Sequence, residues 1–285
     1  MRLVTYRKGA VESFGVVVDR GVVDARRALG GRFPTLKSVL TAGALQELAQ
    51  AIQGAPADVP LEAVQLLPPI ADPDKILCVG INYVAHREET GRGESGFPTL
   101  FTRFANTQVG HGQALVRPRV STEFDYEAEL AVVIGKRGRH VPRKEALSLV
   151  AGYSCYQDAT LRDWQRHTSQ FTAGKNFVAT GGFGPWMVTA DEIPDPSQLT
   201  VMGRLNGREM QRSGTDLLIF DIPELIAYIT TFTELVPGDI LSTGTPGGVG
   251  SKRTPPVWLK PGDVFEVEVS GVGVLRNPVV EEQGS

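Results

Sequence analysis

The stretch STEFDYEAELAVVIGK, residues 121–136, holds the best-marked strand of the chain and a dense run of acids. Residues 130–134 form a short apolar run of the kind found in buried strands. Four acids recur before it at every second residue and would share one face of an extended chain: Glu123, Asp125, Glu127 and Glu129. Carboxylates this close repel one another, and a cation would relieve the repulsion. The alternative interpretation is an ordinary solvated strand face.

A third acid favours the metal. Asp158 follows VAGYSCYQ, a largely apolar and strand-like stretch in which an aspartate is costly unless it has a partner. Two carboxylates from one strand and a third from another would leave about half of an octahedral shell open for water and substrate oxygens. The sequence therefore predicts a Mg²⁺-type site formed by Asp158 and two of the four acids before the apolar run.

Strands dominate on both sides of this region. The clearest are residues 76–79, 99–104, 128–134, 183–188 and 264–269. Few helices interrupt them. The best-marked helix is residues 222–232, which opens with Asp221 as N-cap followed by a proline and a glutamate. We therefore predict a β-rich α+β fold rather than a doubly wound parallel sheet.

Residues 1–65 are predicted to form a small N-terminal α/β module, with three short strands and then a helix. The following segment, LLPPIADPDK (66–75), is dense in proline and aspartate, so we expect it to be extended and exposed. The sequence thus predicts a linker at residues 66–74 and a main, catalytic domain at residues 75–285.

The composition excludes several classes of protein. The 285 residues are 41% hydrophobic and 21% charged, and the net charge is -3. The chain therefore lacks the excess of basic residues that is typical of a nucleic-acid binder. No apolar run is long enough for a membrane helix, and the N-terminus lacks the apolar block of a signal peptide. Cys78 and Cys155 lie among apolar residues and are typical of reduced core thiols. We expect a cytoplasmic protein with neither nucleic-acid nor membrane partners.

A candidate catalytic pair lies in GINYVAHREE, residues 80–89. His86 and Glu89 are three residues apart on a predicted short helix that Asn82 would cap and Gly91 would end. The carboxylate would orient the imidazole, which could then act as a base toward water. A surface contact between the two side chains is the alternative.

Two other segments offer groups for anions. Lys175, in FTAGKNF, is either an exposed loop lysine or a cation that faces a substrate oxyanion. The stretch STGTPGGVGSK, residues 242–252, lacks the Gly-Lys-Ser/Thr order of a nucleotide-binding loop. Its backbone amides and the Thr245 hydroxyl could still bind a carboxylate. His111 and His167 have no second histidine at a suitable spacing, so we do not expect a zinc site.

Taken together, seven segments resemble the fumarylacetoacetate hydrolase family in the order in which the family uses them. They are CVGINYVAH (78–86), LFTRF (100–104), DYEAELAVVIGK (125–136), YQDATLRDWQ (156–165), QFTAGKNF (170–177), GPWMVTADEIPDP (184–196) and STGTPGGVG (242–250). The resemblance extends from about residue 75 to residue 277. Within the family, the sequence is similar to the acylpyruvate-hydrolase branch. Some bacterial members with a similar layout cleave diketo-deoxy sugar acids.

The resemblance implies a fold and a metal. The family's fold is a mixed β-roll or barrel around the metal site, generally in a homodimer, and residues 1–65 resemble its variable N-terminal module. Its metal triad falls on Glu127, Glu129 and Asp158. The ion is usually Mg²⁺, with Mn²⁺ or Ca²⁺ as substitutes.

The resemblance also implies roles for other residues. His86 and Glu89 match a dyad on a lid helix that activates water, and Lys175 matches the lysine beside the reacting carbonyl. The substrate-binding positions it implies are Arg162, Gln165, Thr245 and Arg103. Arg103 departs from the lysine that many members have there, which changes the group presented to the distal end of the substrate.

These residues predict a metal-dependent hydrolase that cleaves a C–C bond of a 2,4-dioxo acid and releases pyruvate. Acylpyruvates, fumarylpyruvate and diketo-deoxy sugar acids are the candidate substrates. The alternatives on the same site are decarboxylation of an oxaloacetate-type acid and a hydratase or isomerase reaction, because fold and function are separable. A non-catalytic binding module with a structural cation is the alternative from a different class.

Overall fold

The computed structural model describes residues 1–284, which form three sheets and seven short α-helices. The strands are β1 Arg2–Lys8, β2 Val11–Val18, β3 Gly21–Asp24, β4 Val59–Pro60, β5 Gln65–Leu67, β6 Ile76–Gly80, β7 Thr99–Arg103, β8 Gln108–Val109, β9 Leu115–Arg117, β10 Phe124–Asp125, β11 Ala128–Ile134, β12 Val150–Gln157, β13 Thr160–Leu161, β14 Gly181–Thr189, β15 Thr200–Leu205, β16 Arg208–Gly214, β17 Ile240–Ser242, β18 Val264–Val269 and β19 Gly273–Glu281. The α-helices are α1 Ala25–Ala28, α2 Leu36–Thr41, α3 Leu45–Ala51, α4 Val84–Thr90, α5 Arg162–Gln165, α6 Thr172–Lys175 and α7 Ile222–Phe232. Short 3₁₀ helices lie in several of the connections, the longest of them at Arg143–Leu149.

A large mixed sheet forms the centre of the fold. Its main path runs β4-β3-β2-β1-β14-β12-β11-β17-β6-β7, with β5 paired to β1 and β8 paired to β14. Every residue of β11 is buried, because other layers cover both faces of the sheet at this point. β11 pairs antiparallel with β12, and Ala128 lies opposite Gln157. This register places Glu127, Glu129 and the start of β11 beside the end of β12, which Asp158 follows.

A five-stranded sheet, ordered β16-β15-β18-β19-β9, packs on one face of the large sheet. In β18 the side chains alternate, and Phe265, Val267 and Val269 point into the shared core. A further pair, β10 with β13, joins the segments before β11 and after β12. The predicted β-rich α+β fold is confirmed. Among the described residues neither large sheet closes on itself, so the architecture is a layered roll and not a barrel.

The N-terminal segment continues the large sheet. β1 pairs antiparallel with β14, with Leu3 opposite Met187, and α1 to α3 cover the sheet face opposite the five-stranded sheet. The segment after it is extended as predicted, and its second half is exposed at Ala71, Asp72 and Asp74, but the expectation of exposure is wrong for its first half. Leu66 and Leu67 are buried in β5 against β1, and Ile70 is buried in the core beneath the helices.

Two predicted helices are found, α7 with both predicted ends and α4 with its predicted C-terminal end. Asp221 caps α7 by accepting a hydrogen bond from the Glu224 amide (2.9 Å). Gly91 ends α4 in the left-handed conformation (φ 68°). The expectation that Asn82 caps α4 is wrong, because its side chain instead bonds to the backbone of Phe220 and Thr243. None of the helices in residues 1–284 has the length and hydropathy needed to cross a membrane.

Candidate active site

Three carboxylates meet at the edge of the large sheet. Glu127 lies between β10 and β11, Glu129 lies in β11, and Asp158 directly follows β12. The Asp158 amide donates to the Glu127 carbonyl (3.0 Å), which extends the pairing of the two strands. All three side chains are buried, and one carboxylate oxygen from each lies within 4.8 Å of the others. The structure thus brings the predicted metal triad together.

Two buried cations neutralise part of this charge. The Lys175 Nζ lies 2.6 Å from Glu127 Oε2 and 2.5 Å from Asp158 Oδ2. The Arg162 guanidinium lies 2.6 Å from Glu127 Oε1 and 2.8 Å from Asp125 Oδ2. Lys175 is 1% exposed, so the alternative of a solvated loop lysine is wrong.

The surroundings shift the pKa values of the three acids in different directions. Burial raises the pKa of Glu127, but Lys175 and Arg162 outweigh it and lower that pKa to about 2. Burial raises the pKa of Glu129 well above its ordinary value, and the like charges of Asp158 and Glu127 add to the effect. Burial also raises the pKa of Asp158, despite the nearby Lys175 and Arg103. Glu129 is therefore the acid whose charge is least compensated by the protein.

Arg103 lies behind the triad and not in the cavity in front of it. It is 3% exposed, and its Nη1 donates to Asp158 Oδ1 (2.7 Å) and to the Ala159 carbonyl (2.9 Å). Its other nitrogens donate to Thr180 and Thr107. Contact with the distal end of a substrate, as the resemblance implies for Arg103, does not fit this placement. Its contacts instead fix the orientation of Asp158.

His86 of α4 lines the cavity in front of the triad and pairs with Glu89. The His86 Nδ1 lies 2.6 Å from Glu89 Oε1, and Glu89 Oε2 accepts a hydrogen bond from the Gly248 amide (2.8 Å). His86 is 6% exposed, so the pair is not a surface contact. When Nδ1 donates to Glu89, the lone pair of a neutral imidazole lies on Nε2. That nitrogen is then available as a base toward a molecule in the cavity.

The glycine-rich segment 242–252 binds carboxylates of the protein itself. The Gly244 amide donates to Glu129 Oε2 (2.9 Å), and the Gly250 amide donates to Asp125 Oδ1 (2.7 Å). A Cβ at Gly250 would lie 1.9 Å from the Val257 carbonyl oxygen and 2.6 Å from the Asp125 carboxylate, so this position requires glycine. The segment therefore helps to hold the acids in place.

Thr245 borders the cavity, although its hydroxyl already has partners in the protein. It donates to the Ala128 carbonyl (3.0 Å) and accepts from the Gln211 amide (2.8 Å). Gln165 also borders the cavity and accepts a hydrogen bond from Arg162 (3.0 Å).

The cavity in front of the triad has a volume of about 70 Å³. Besides the predicted residues it is lined by side chains that the sequence did not single out, among them Arg92, Phe101 and Phe171. The two aromatic rings meet edge to face with centroids 5.7 Å apart. The only sequence signal for Phe171 as a residue of the site was its position in the same short segment as Lys175. Ile81, also in the lining, has a φ of 58°, a strained conformation for a β-branched residue and one that tends to persist at functional sites.

The donor set suits a hard divalent cation. Three carboxylates supply only oxygen, which Mg²⁺, Mn²⁺ and Ca²⁺ accept and which zinc sites seldom use alone. The raised pKa of Glu129 and Asp158 indicates that the protein cations leave negative charge uncompensated. A divalent ion bound to all three acids would supply the missing charge.

Comparisons with known proteins agree with this geometry. The profile of the fumarylacetoacetate (FAA) hydrolase C-terminal family matches residues 75–280. A protein of Rattus norvegicus named oxaloacetate tautomerase Fahd2a, mitochondrial, is 38% identical over an alignment of 287 positions that covers 98% of this chain and 92% of the relative. The expectation of a cytoplasmic protein is contradicted by this relative, which is named as mitochondrial.

Proteins of the same fold whose structures have been solved are named for more than one reaction. Maleylpyruvate hydrolase from Sphingobium sp. SYK-6, in complex with manganese(II) and pyruvate, has a TM-score of 0.83 and 30% identity, covering 99% of this chain and all of the other. A 5-carboxymethyl-2-hydroxymuconate delta-isomerase from Mycobacterium smegmatis has a TM-score of 0.78 and 30% identity, covering the whole of both chains. The shared fold therefore accommodates hydrolysis and isomerisation.

Proposed function

Because this chain belongs to the fumarylacetoacetate hydrolase family, we propose that it is a divalent-metal-dependent isomerase that interconverts the keto and enol forms of an oxaloacetate-type 2-oxo acid. The observation that carries the proposal is that His86, paired with Glu89, lines the same small cavity as the triad. A base beside a metal-bound 2-oxo acid is what removal of a proton from C3 requires. The rat relative, 38% identical over nearly the whole chain, is named for this reaction.

Glu127, Glu129 and Asp158 would hold Mg²⁺, with Mn²⁺ or Ca²⁺ as substitutes. When bound, such an ion supplies Lewis-acid polarisation of the keto and carboxylate oxygens. Lys175 holds two of the three acids in position and keeps a positive charge beside them. Arg162 and Gln165 form a polar wall of the same cavity.

His86 would carry the proton. Nε2 would accept it from C3 of the keto acid, and the electron pair of the C–H bond would form the C2–C3 double bond of the enol form. The proton then passes to the former keto oxygen, so the net reaction neither consumes nor releases water. Glu89 stabilises the imidazolium that forms, and the Gly248 amide fixes Glu89.

Hydrolysis of a 2,4-dioxo acid is the second candidate. The same pair could take a proton from water, which would add to the C4 carbonyl, after which the C3–C4 bond breaks to give pyruvate and a carboxylic acid. The observation in its favour is the likeness to the manganese and pyruvate complex of maleylpyruvate hydrolase. Decarboxylation of oxaloacetate is third, because it needs the metal but not the His86–Glu89 pair.

A panel of assays separates the candidates. With Mg²⁺ present, we expect faster keto–enol interconversion of oxaloacetate, followed by the absorbance of the enol, without release of pyruvate. EDTA should return the rate to that of the uncatalysed reaction. Pyruvate release from an acylpyruvate, with no acceleration of the interconversion, would overturn the proposal in favour of the hydrolase.

A further inference from the structure

Three cationic side chains lie around the cavity, and they differ in how far their charge is compensated. Lys175 is paired with Glu127 and Asp158, and Arg162 is paired with Glu127 and Asp125. The third is Arg92, which also lines the cavity. Within residues 1–284 no carboxylate lies within 4.0 Å of the Arg92 guanidinium. Its charge is therefore the one that remains available to an anionic ligand.

Arg92 is held above the cavity by its neighbours. It directly follows Gly91, whose left-handed conformation turns the chain at the end of the helix that carries His86. Its guanidinium lies over the ring of Phe171, 5.2 Å from the ring centroid. Phe171 in turn packs on Phe101 in the cavity wall. A cation–π contact of this kind restrains the arginine without using its hydrogen-bond donors.

Arg92 also separates two spaces. It borders the 70 Å³ cavity that holds the triad and a neighbouring cavity of about 350 Å³. A 2-oxo acid whose keto and carboxylate oxygens face the triad would direct its remaining carbons away from the three acids. A group at C4 of such a molecule would then lie toward this boundary.

We propose that Arg92 binds the distal carboxylate of a dicarboxylic 2-oxo acid and thereby makes the site selective for diacids over monoacids. The inference rests on the proposed function for the placement of the 2-oxo acid end at the triad. The planar guanidinium can donate two parallel hydrogen bonds to a carboxylate, a geometry that lysine cannot reproduce. Arg162 and Lys175 cannot take this role without giving up their pairs with the acids of the site.

The test compares ligands that differ only at the distal end. L-Malate and L-lactate share a 2-hydroxy acid, and malate alone carries the second carboxylate. Their binding to the full chain loaded with Mg²⁺ is measured for the wild type and for Arg92→Ala, Arg92→Gln and Arg92→Lys. We expect the wild type to prefer malate by about 10- to 100-fold, the size of one charge-assisted contact. The preference should disappear in Arg92→Ala and Arg92→Gln and be only partly kept in Arg92→Lys.

Arg87→Ala is the matched control. Arg87 lies on α4 five residues earlier, and its guanidinium is already 3.0 Å from Glu94. We expect this variant to keep the malate preference of the wild type. A wild type that binds malate no better than lactate, or an Arg92→Ala protein with an unchanged preference, would overturn the inference.

Turnover separates failure of the inference from failure of the proposed function. Exchange of C3 protons for deuterium in D₂O can be followed with pyruvate, which has no distal carboxylate, and with oxaloacetate. We expect the ratio of kcat/KM for oxaloacetate to that for pyruvate to fall about 10- to 100-fold in Arg92→Ala. If the wild type exchanges neither substrate but its malate preference still depends on Arg92, the proposed function fails and the inference on Arg92 stands.

Discussion

The large sheet carries a half-buried carboxylate, Asp24, and a group of fully buried ones, and the two differ in how their charge is satisfied. At the N-terminal edge, Asp24 accepts hydrogen bonds from the Tyr6 hydroxyl (2.7 Å), the Ser13 hydroxyl (2.9 Å) and the Arg27 amide (2.7 Å). At the other end, the triad has three carboxylates and shares its cations with Asp125. The protein completes the first group by itself, whereas the second stays short of positive charge. The comparison distinguishes a structural acid from acids arranged for a ligand.

The pKa values express the same difference. Burial raises the pKa of Asp24, but the three hydrogen bonds outweigh it and hold that pKa below its ordinary value. For Glu129 nothing in the protein outweighs burial and the neighbouring acids, and its pKa is well above the ordinary value. Charge on Glu129 is thus unfavourable until a cation is present, whereas charge on Asp24 is favourable as the protein stands.

The largest effect is expected for Glu129→Gln. Both hydrogen bonds to this side chain, from Ser242 and from the Gly244 amide, reach the same oxygen, Oε2, so glutamine can keep them while it replaces Oε1 with an amide nitrogen. We expect activity to be abolished and Mn²⁺ affinity, measured by calorimetry, to fall by more than the roughly 100-fold that loss of an outer partner costs. The metal-free variant should melt no lower than the metal-free wild type, because glutamine is neutral at a position where burial and the neighbouring acids disfavour a charge. If this variant bound Mn²⁺ as tightly as the wild type, the triad would not be the metal site.

The second effect concerns the base and not the metal. We expect His86→Ala to lower turnover by about 10²- to 10⁴-fold, as is usual for loss of a general base, with little change in Mn²⁺ affinity. Glu89→Gln keeps an acceptor for Nδ1 but loses the charge that stabilises the imidazolium, so its loss should be smaller. Turnover of His86→Ala equal to that of the wild type would show that the pair does not take part in the chemistry.

The sequence predicted what depends on local spacing. The alternation of acids placed Glu127 and Glu129 on one side of the chain, and the apolar run of β11 lies where it was expected. Asp158 was identified from its position after an apolar stretch, but its distance from Glu127 depends on the pairing of β11 with β12. Residue types and local periodicity indicated an acidic metal site, and the resemblance then singled out Glu127 and Glu129 among the four alternating acids.

What the sequence could not predict depends on contacts between distant segments. Asn82 has the spacing of a helix cap, yet its amide joins Phe220 and Thr243, which lie 138 and 161 residues away. Arg103 was placed at the substrate by resemblance alone, and only the fold puts it behind Asp158. Arg92 lies in a segment with the composition of a loop, and its position follows from the ring of Phe171, far along the chain. The stability of residues 1–65 as a separate domain stays a prediction, although their strands extend the large sheet.

The smallest effect is expected for Asp24→Ala, which tests the structural side of the comparison. Asp24 caps α1 and accepts the Tyr6 and Ser13 hydroxyls, so we expect its loss to lower the free energy of unfolding by about 1–2 kcal/mol. Because the pKa of Asp24 is lowered in the folded protein, its carboxylate stabilises the fold fully above the ordinary pKa of about 4 and loses this contribution as the pH falls through the folded value. Urea denaturation should therefore give a constant difference between wild type and variant from pH 5 to pH 8 (roughly the range above that pKa) and a smaller difference at about pH 3. The difference should be the same with Mg²⁺ and with EDTA, in contrast to Glu129→Gln.

Glu12→Ala, which removes an exposed ion pair with Arg7 in the same part of the sheet, is the control and should cost less than about 1 kcal/mol. A dependence of the Asp24→Ala effect on Mg²⁺ would mean that the two carboxylate groups are coupled through the sheet and that the division between them does not hold.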